Sequence, residues 1–140
     1  HVTWLPHLGA TDELKTTPTQ HSVRELRSIG LAPDMIVARS DHFVGDDLRS
    51  KIALFCDVEK RAVVPMVTTS VLYEIPLLLE KAGVGDYLVE RLKLESRKRP
   101  DWNEWEDLIT NVKKDKPTVH VALVGIEKWL RHGRGTAAAG

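Results

Sequence analysis

Between residues 14 and 26 the chain reads LKTTPTQHSVREL. One ammonium, Lys15, and three hydroxyls, Thr16, Thr17 and Thr19, crowd the point where an amphipathic helix begins. Chemically this is a set for holding an anion. The free N–H groups of a helix start carry partial positive charge, a lysine adds a full one, and threonine hydroxyls donate at the same height. The competing reading is an ordinary helix cap. Thr17 suits the N-cap, Pro18 the first helical position, and Gln20 can complete a capping box. Ser and Thr favour helix starts whatever the function, so these residues alone leave both readings open.

Four further positions could serve a ligand. Arg39 ends an apolar run beside a loop, and ligands of open α/β sheets collect at the carboxyl ends of strands. It either contacts a phosphate or pairs with Asp41. Thr68 and Thr69 follow another apolar run, where they offer backbone groups to the same edge or merely lead into a helix at Ser70. Lys51 lies within a helical pattern and reads, by itself, as a solvated surface lysine. The six histidines, at 1, 7, 21, 42, 120 and 132, form no HxH or HExxH and are too scattered to predict a metal site. Cys56 falls on the apolar end of a helix and reads as a buried, inert thiol. GxxxxGK[ST], GxGxxG and GxSxG are all absent from the sequence.

The elements that must position these residues alternate. VTWLPH (2–7) reads as a short strand and LGATDELKTT (8–17) as a loop. A helix follows with Val23, Leu26 and Ile29 on one face, closed by Gly30. DMIVAR (34–39) is a second strand. DDLRSKIALFC (46–56) is a second helix, with Asp46 and Asp47 at its positive end and Leu48, Ile52 and Phe55 along one face. RAVVPMV (61–67) is a third strand, whose Pro65 suits an end or an edge. Residues 70–83 read as a helix kinked or restarted at Pro76, and 85–94 as another. Strands alternating with helices predict an α/β fold, part of a doubly wound, mainly parallel sheet flanked by helices. The charged, Pro-containing stretch ESRKRPD (95–101) predicts that the compact part ends near Leu94. WNEWEDLITNV (102–112) then reads as a helix with Trp102, Trp105 and Ile109 on one side, KKDKP (113–117) as a linker, and TVHVALVG (118–125) as a new buried strand.

The bulk composition narrows the function. With 140 residues, 42% of them hydrophobic, one domain is expected. Lys plus Arg and Asp plus Glu both total 20, so nothing general favours nucleic acid or an anionic membrane as partner. A single cysteine leaves no internal disulfide and favours a reducing, cytoplasmic setting. No apolar run approaches the roughly 18 residues of a membrane helix. The start at His1 and the low-complexity end GRGTAAAG (133–140) suggest a piece of something longer.

ELKTTPTQHSVRELRSIGLAPDMIVARSD (13–41), KIALFCDV (51–58) and LYEIPLLLE (72–80) resemble the CTP synthase family in the later half of its synthetase domain. The resemblance runs from about residue 2 to about 94 and implies a P-loop NTPase-like amidoligase fold for 1–94, with 95–117 an interdomain helix and linker. VALVG (121–125) is similar to the first strand of the family's glutaminase domain, so 118–125 would be that strand, while 126–140 resembles nothing in the family. The activity implied is a magnesium- and ATP-dependent amination of UTP to CTP with ammonia from glutamine, feedback inhibition by CTP, and a homotetrameric enzyme. By this resemblance Lys15, Thr16, Thr17, Pro18, Thr19, Gln20 and Lys51 would contact UTP or CTP across a subunit interface. Arg39, Val67, Thr68 and Thr69 would contact ATP. The family's phosphate-binding loop, magnesium carboxylates and glutaminase residues would fall outside these 140 residues, so the chain alone is expected to be inactive.

Four positions depart from the family pattern: Asp12 stands for a glycine, Thr17 for a second lysine, and Thr68-Thr69 for an Asp-Val pair. A charge-assisted hydrogen bond contributes about 1.5–3 kcal/mol, so the missing lysine is expected to weaken nucleotide binding by an order of magnitude or more. The alternative function is a catalytically inactive, truncated relative that acts as an interaction module.

Overall fold

The computed structural model describes residues 1–95 and 98–117. Three parallel strands form its sheet: β1 (Val2–Trp4), β4 (Ile36–Ser40) and β5 (Val63–Val67), in the order β1-β4-β5. Val2 pairs with Val37 and Trp4 with Arg39, while Ile36 pairs with Val63 and Ser40 with Val67. Helix α1 (Thr17–Ser28) connects β1 to β4, and α2 (Asp46–Cys56) connects β4 to β5. Right-handed crossovers that advance the same way along a sheet place both helices on one face. That face carries the core: Ile36, Ala38 and Val63 from the strands meet Val23 of α1 and Ile52, Ala53 and Cys56 of α2. This is the α/β sheet flanked by helices expected from the sequence, and among the described strands its order never reverses.

Among the described residues β5 has one sheet neighbour, β4, so Pro65 sits where its missing N–H leaves no ladder bond to lose on the open side. The polypeptide restarts at Pro76 as expected: a 3₁₀ turn (Leu72–Glu74) runs into α3 (Ile75–Lys81), followed by α4 (Val84–Arg91). Gly30 closes α1 at φ +85°, with Leu31 N–H donating to Leu26 O at 3.2 Å.

Three expectations are corrected. Residues 8–17 are not simply a loop, because β2 (His7–Leu8) and β3 (Glu13–Leu14) pair as a small antiparallel hairpin. Phe55 does not face the core; it is 59% exposed, and Ala53 and Cys56 take its place because α2 turns that side to the sheet. The packed part does not stop near Leu94. Helix α5 (Asn103–Lys113) returns to the 3₁₀ turn, burying Ile109, donating from Trp105 Nε1 to Tyr73 O at 2.7 Å and pairing Lys113 with Glu74. The expected strand at 118–125 and the tail at 126–140 lie outside the described residues.

Candidate nucleotide-binding site

The start of α1 departs from the expected cap. Thr16, not Thr17, is the N-cap residue, with φ −87° and ψ −13°, and its side chain makes no capping bond. An α-like backbone at the cap turns the hydroxyl away from the first-turn amides. The capping box is therefore absent; instead Gln20 Nε2 donates to Thr16 Oγ1 at 3.1 Å. Thr16 is 3% exposed and Thr19 0%. Thr19 Oγ1 donates to Thr3 Oγ1 at 3.0 Å, so this hydroxyl anchors α1 to β1 inside the fold. Thr17 and Pro18 remain at the surface, and Pro18 has no N–H to offer.

The cations lie close by. Lys15 pairs with Glu13, and its N–H donates to Pro6 O at 2.9 Å, fixing the hairpin over the carboxyl end of β1. Glu13 has its carboxyl held below the usual range, first by the hydrogen bond from Lys15 and to a lesser degree by the ammonium of Lys51. Lys15 is thus the ammonium paired with this carboxylate. Lys51 also lines an open cavity of about 550 Å³ between the hairpin, the β4–α2 loop and the first turns of α2. His7, Asp12, Glu13, His42, Phe43 and Asp47 share that lining. The scattered histidines of the sequence therefore do meet: the His7 and His42 rings stack 3.9 Å apart. Their spacing in the chain carries no motif; the one clue was Asp12 at a glycine position.

Arg39 points from the opposite sheet face, its guanidinium 5.7 Å above the Trp4 ring. The alternative pairing with Asp41 is not what forms, because Asp41 accepts from Thr68 Oγ1 at 2.5 Å. Thr68 N–H donates to Ser40 O at 2.8 Å, and the Thr69 hydroxyl bonds Glu74. Both threonines stand at the carboxyl edge of the sheet, but these donors are engaged within the chain. Among the described residues no group of three or more His, Cys, Asp or Glu comes together to hold a metal ion. No described helix is long and apolar enough to cross a membrane.

Comparison with known proteins gives this geometry its relatives. The family model described as "CTP synthase N-terminus" matches residues 1–94. The chain is 55% identical over 125 residues to a CTP synthase of Roseiflexus sp. (strain RS-1), covering 89% of this chain and 22% of that protein. It is 54% identical over 125 residues to one from Dehalococcoides mccartyi (strain CBDB1), covering 89% and 23%. A CTP synthase from Ruminiclostridium cellulolyticum is 46% identical over 144 residues, covering 95% of this chain and 27% of that protein. The chain thus spans about a quarter of the length of these relatives. The matched region is the N-terminal one, which replaces the placement in the later half of the synthetase domain suggested by the sequence. On the family match to residues 1–94, the chain belongs to the CTP synthase family.

Proposed function

We propose that the chain supplies part of the UTP/CTP site of an enzyme that aminates UTP to CTP, with Lys15 and Lys51 as its phosphate-facing cations. The observation that carries this reading is the cavity between the hairpin and α2, which Lys51 lines together with Glu13, the carboxylate that holds Lys15. An incoming triphosphate would displace Glu13 as the partner of Lys15, exchanging one carboxylate for several phosphate oxygens. Thr17 and Gln20 flank the entry, Thr16 and Pro18 set the backbone there, and Thr19 holds the helix in place without touching the ligand. ATP would be met at the far ends of β4 and β5, by the guanidinium of Arg39 and the backbone of Val67, Thr68 and Thr69.

We further propose that 1–94 is synthetase domain, that 95–117 links it to a glutaminase domain entered at 118–125, and that the enzyme is a cytoplasmic homo-oligomer using magnesium and glutamine. The described residues form no metal site, so no step is assigned to the ion here. Calorimetric titration of UTP into the chain and its Lys51→Ala variant tests the reading. Weaker binding by the variant, by about tenfold or more, is expected; equal affinity would overturn the assignment of Lys51.

A further inference from the structure

His7 opens β2 and His42 lies in the loop between β4 and α2, yet their rings stack at 3.9 Å with 19° between planes. The His7 Nε2–H donates to Asp12 Oδ1 at 3.0 Å, which sets the tautomer while the carboxylate is ionised. Asp12 holds a left-handed backbone at φ +50°. Glycine adopts that conformation freely and aspartate at a cost, so a carboxylate kept there against an imidazole points to a use for the contact.

All three residues line the cavity that contains Lys51. Among the described residues the charged groups facing the pair are few. The hairpin brings Asp12 and Glu13, with Lys15 bound to Glu13, and α2 brings Asp47 and Lys51. Asp41, beside His42, is turned to Thr68, and Asp46 to Lys60 and Arg49. With both imidazoles neutral, two ammonium groups face three carboxylates, an excess of one negative charge. Protonating both rings would make that an excess of one positive charge. Two imidazolium rings stacked at this distance repel, and an anion lying against them offsets that repulsion.

We propose that the stacked His7–His42 pair is a proton-linked phosphate contact of the Lys51 cavity. An oligophosphate entering the cavity is held by an imidazolium N–H as well as by the ammonium, and a ring nitrogen takes one proton from solvent as it binds. No covalent bond forms or breaks. By linkage, binding tightens as pH falls through the range of about 5 to 8 where imidazoles titrate. This rests on the reading of the cavity as a triphosphate site.

Calorimetry of CTP binding to the full chain, in two buffers of different ionisation enthalpy, counts the protons exchanged. The His42→Gln and His7→Gln variants provide the reference, because the difference between proteins cancels the proton exchanged by the ligand's own phosphate. The expected result is a net uptake by the unmodified chain relative to His42→Gln, with affinity rising by up to about tenfold per pH unit on acidification and the rise lost in the variants. CTP binding with the same proton count and pH dependence in all three proteins would overturn this inference and leave the triphosphate site standing. No CTP binding by the unmodified chain at any pH would overturn both. Histidine-dependent proton uptake that persists in Lys51→Ala would keep this inference and remove the role given to Lys51.

Discussion

Thr19 donates its hydroxyl to the hydroxyl of Thr3 at 3.0 Å, and both side chains are buried beneath α1. A residue that resembles a ligand contact in the sequence therefore serves as a bolt between the first helix and the first strand. Replacing Thr19 by Val keeps the shape and strands the Thr3 oxygen. Loss of about 1–3 kcal/mol of unfolding free energy in urea is expected, with UTP affinity unchanged in the folded protein. A folded Thr19→Val protein with sharply weaker UTP binding would return Thr19 to the ligand site.

Thr17 stands exposed at the first helical position beside Lys15. An ammonium placed there would reach the same phosphates without disturbing the core. Thr17→Lys is expected to tighten UTP binding by about tenfold, the lower end of a charge-assisted contact. Titration at two salt concentrations checks it, since the gain must shrink as salt screens the added charge. An unchanged affinity would mean that no phosphate passes this position.

Arg61 holds Glu90 through two bonds, Nη1 to Oε2 at 2.6 Å and Nη2 to Oε1 at 2.7 Å, tying the start of β5 to α4. The hydrogen bond and charge of Arg61 keep the Glu90 carboxyl below its ordinary value of 4.5. A carboxyl depressed by folding stabilises above its unfolded value and loses that contribution as pH falls through the folded one. Glu90→Gln is therefore expected to lower the thermal midpoint at pH 7 and to differ less and less from the parent as the pH falls through the folded carboxyl's range and Glu90 takes up its proton. A gap of constant size across that range would contradict the pairing.

Cys56 is fully buried in the core, and burial pushes its thiol up, with Arg27 opposing only in part. The thiolate is the reactive form, so labelling with a disulfide reagent at pH 7.5 is expected to be slow in the native chain and complete in denaturant. Fast native labelling would place the thiol at the surface.

Where a pattern in the chain was enforced by packing, it was legible. The 3.6-residue spacing of α2 and the apolar runs of β4 and β5 are each bound to the core by buried Ile52, Ile36 and Val63, and Pro76 marks a real boundary. What could not be read was decided by contacts between distant segments. The His7–Leu8 and Glu13–Leu14 hairpin is only two residues per strand, too short for alternation to register. The rotation of α2 that exposes Phe55 depends on the sheet beneath it. At the candidate site, Lys15 and Lys51 were marked by type and by family resemblance. The cavity that brings Glu13 beside Lys51, and the meeting of His7 with His42, arise only when the hairpin folds over the β4–α2 loop.

Mapping backbone amide shifts during a titration with UTP tests most directly whether the hairpin, the start of α1 and the middle of α2 together bind a triphosphate. The expected result is a saturable set of shifts confined to residues 12–20, 42–51 and their neighbours, lost when Lys15 and Lys51 are both replaced by Ala. Shifts clustered on another surface, or none at saturating UTP in a folded chain, would contradict it.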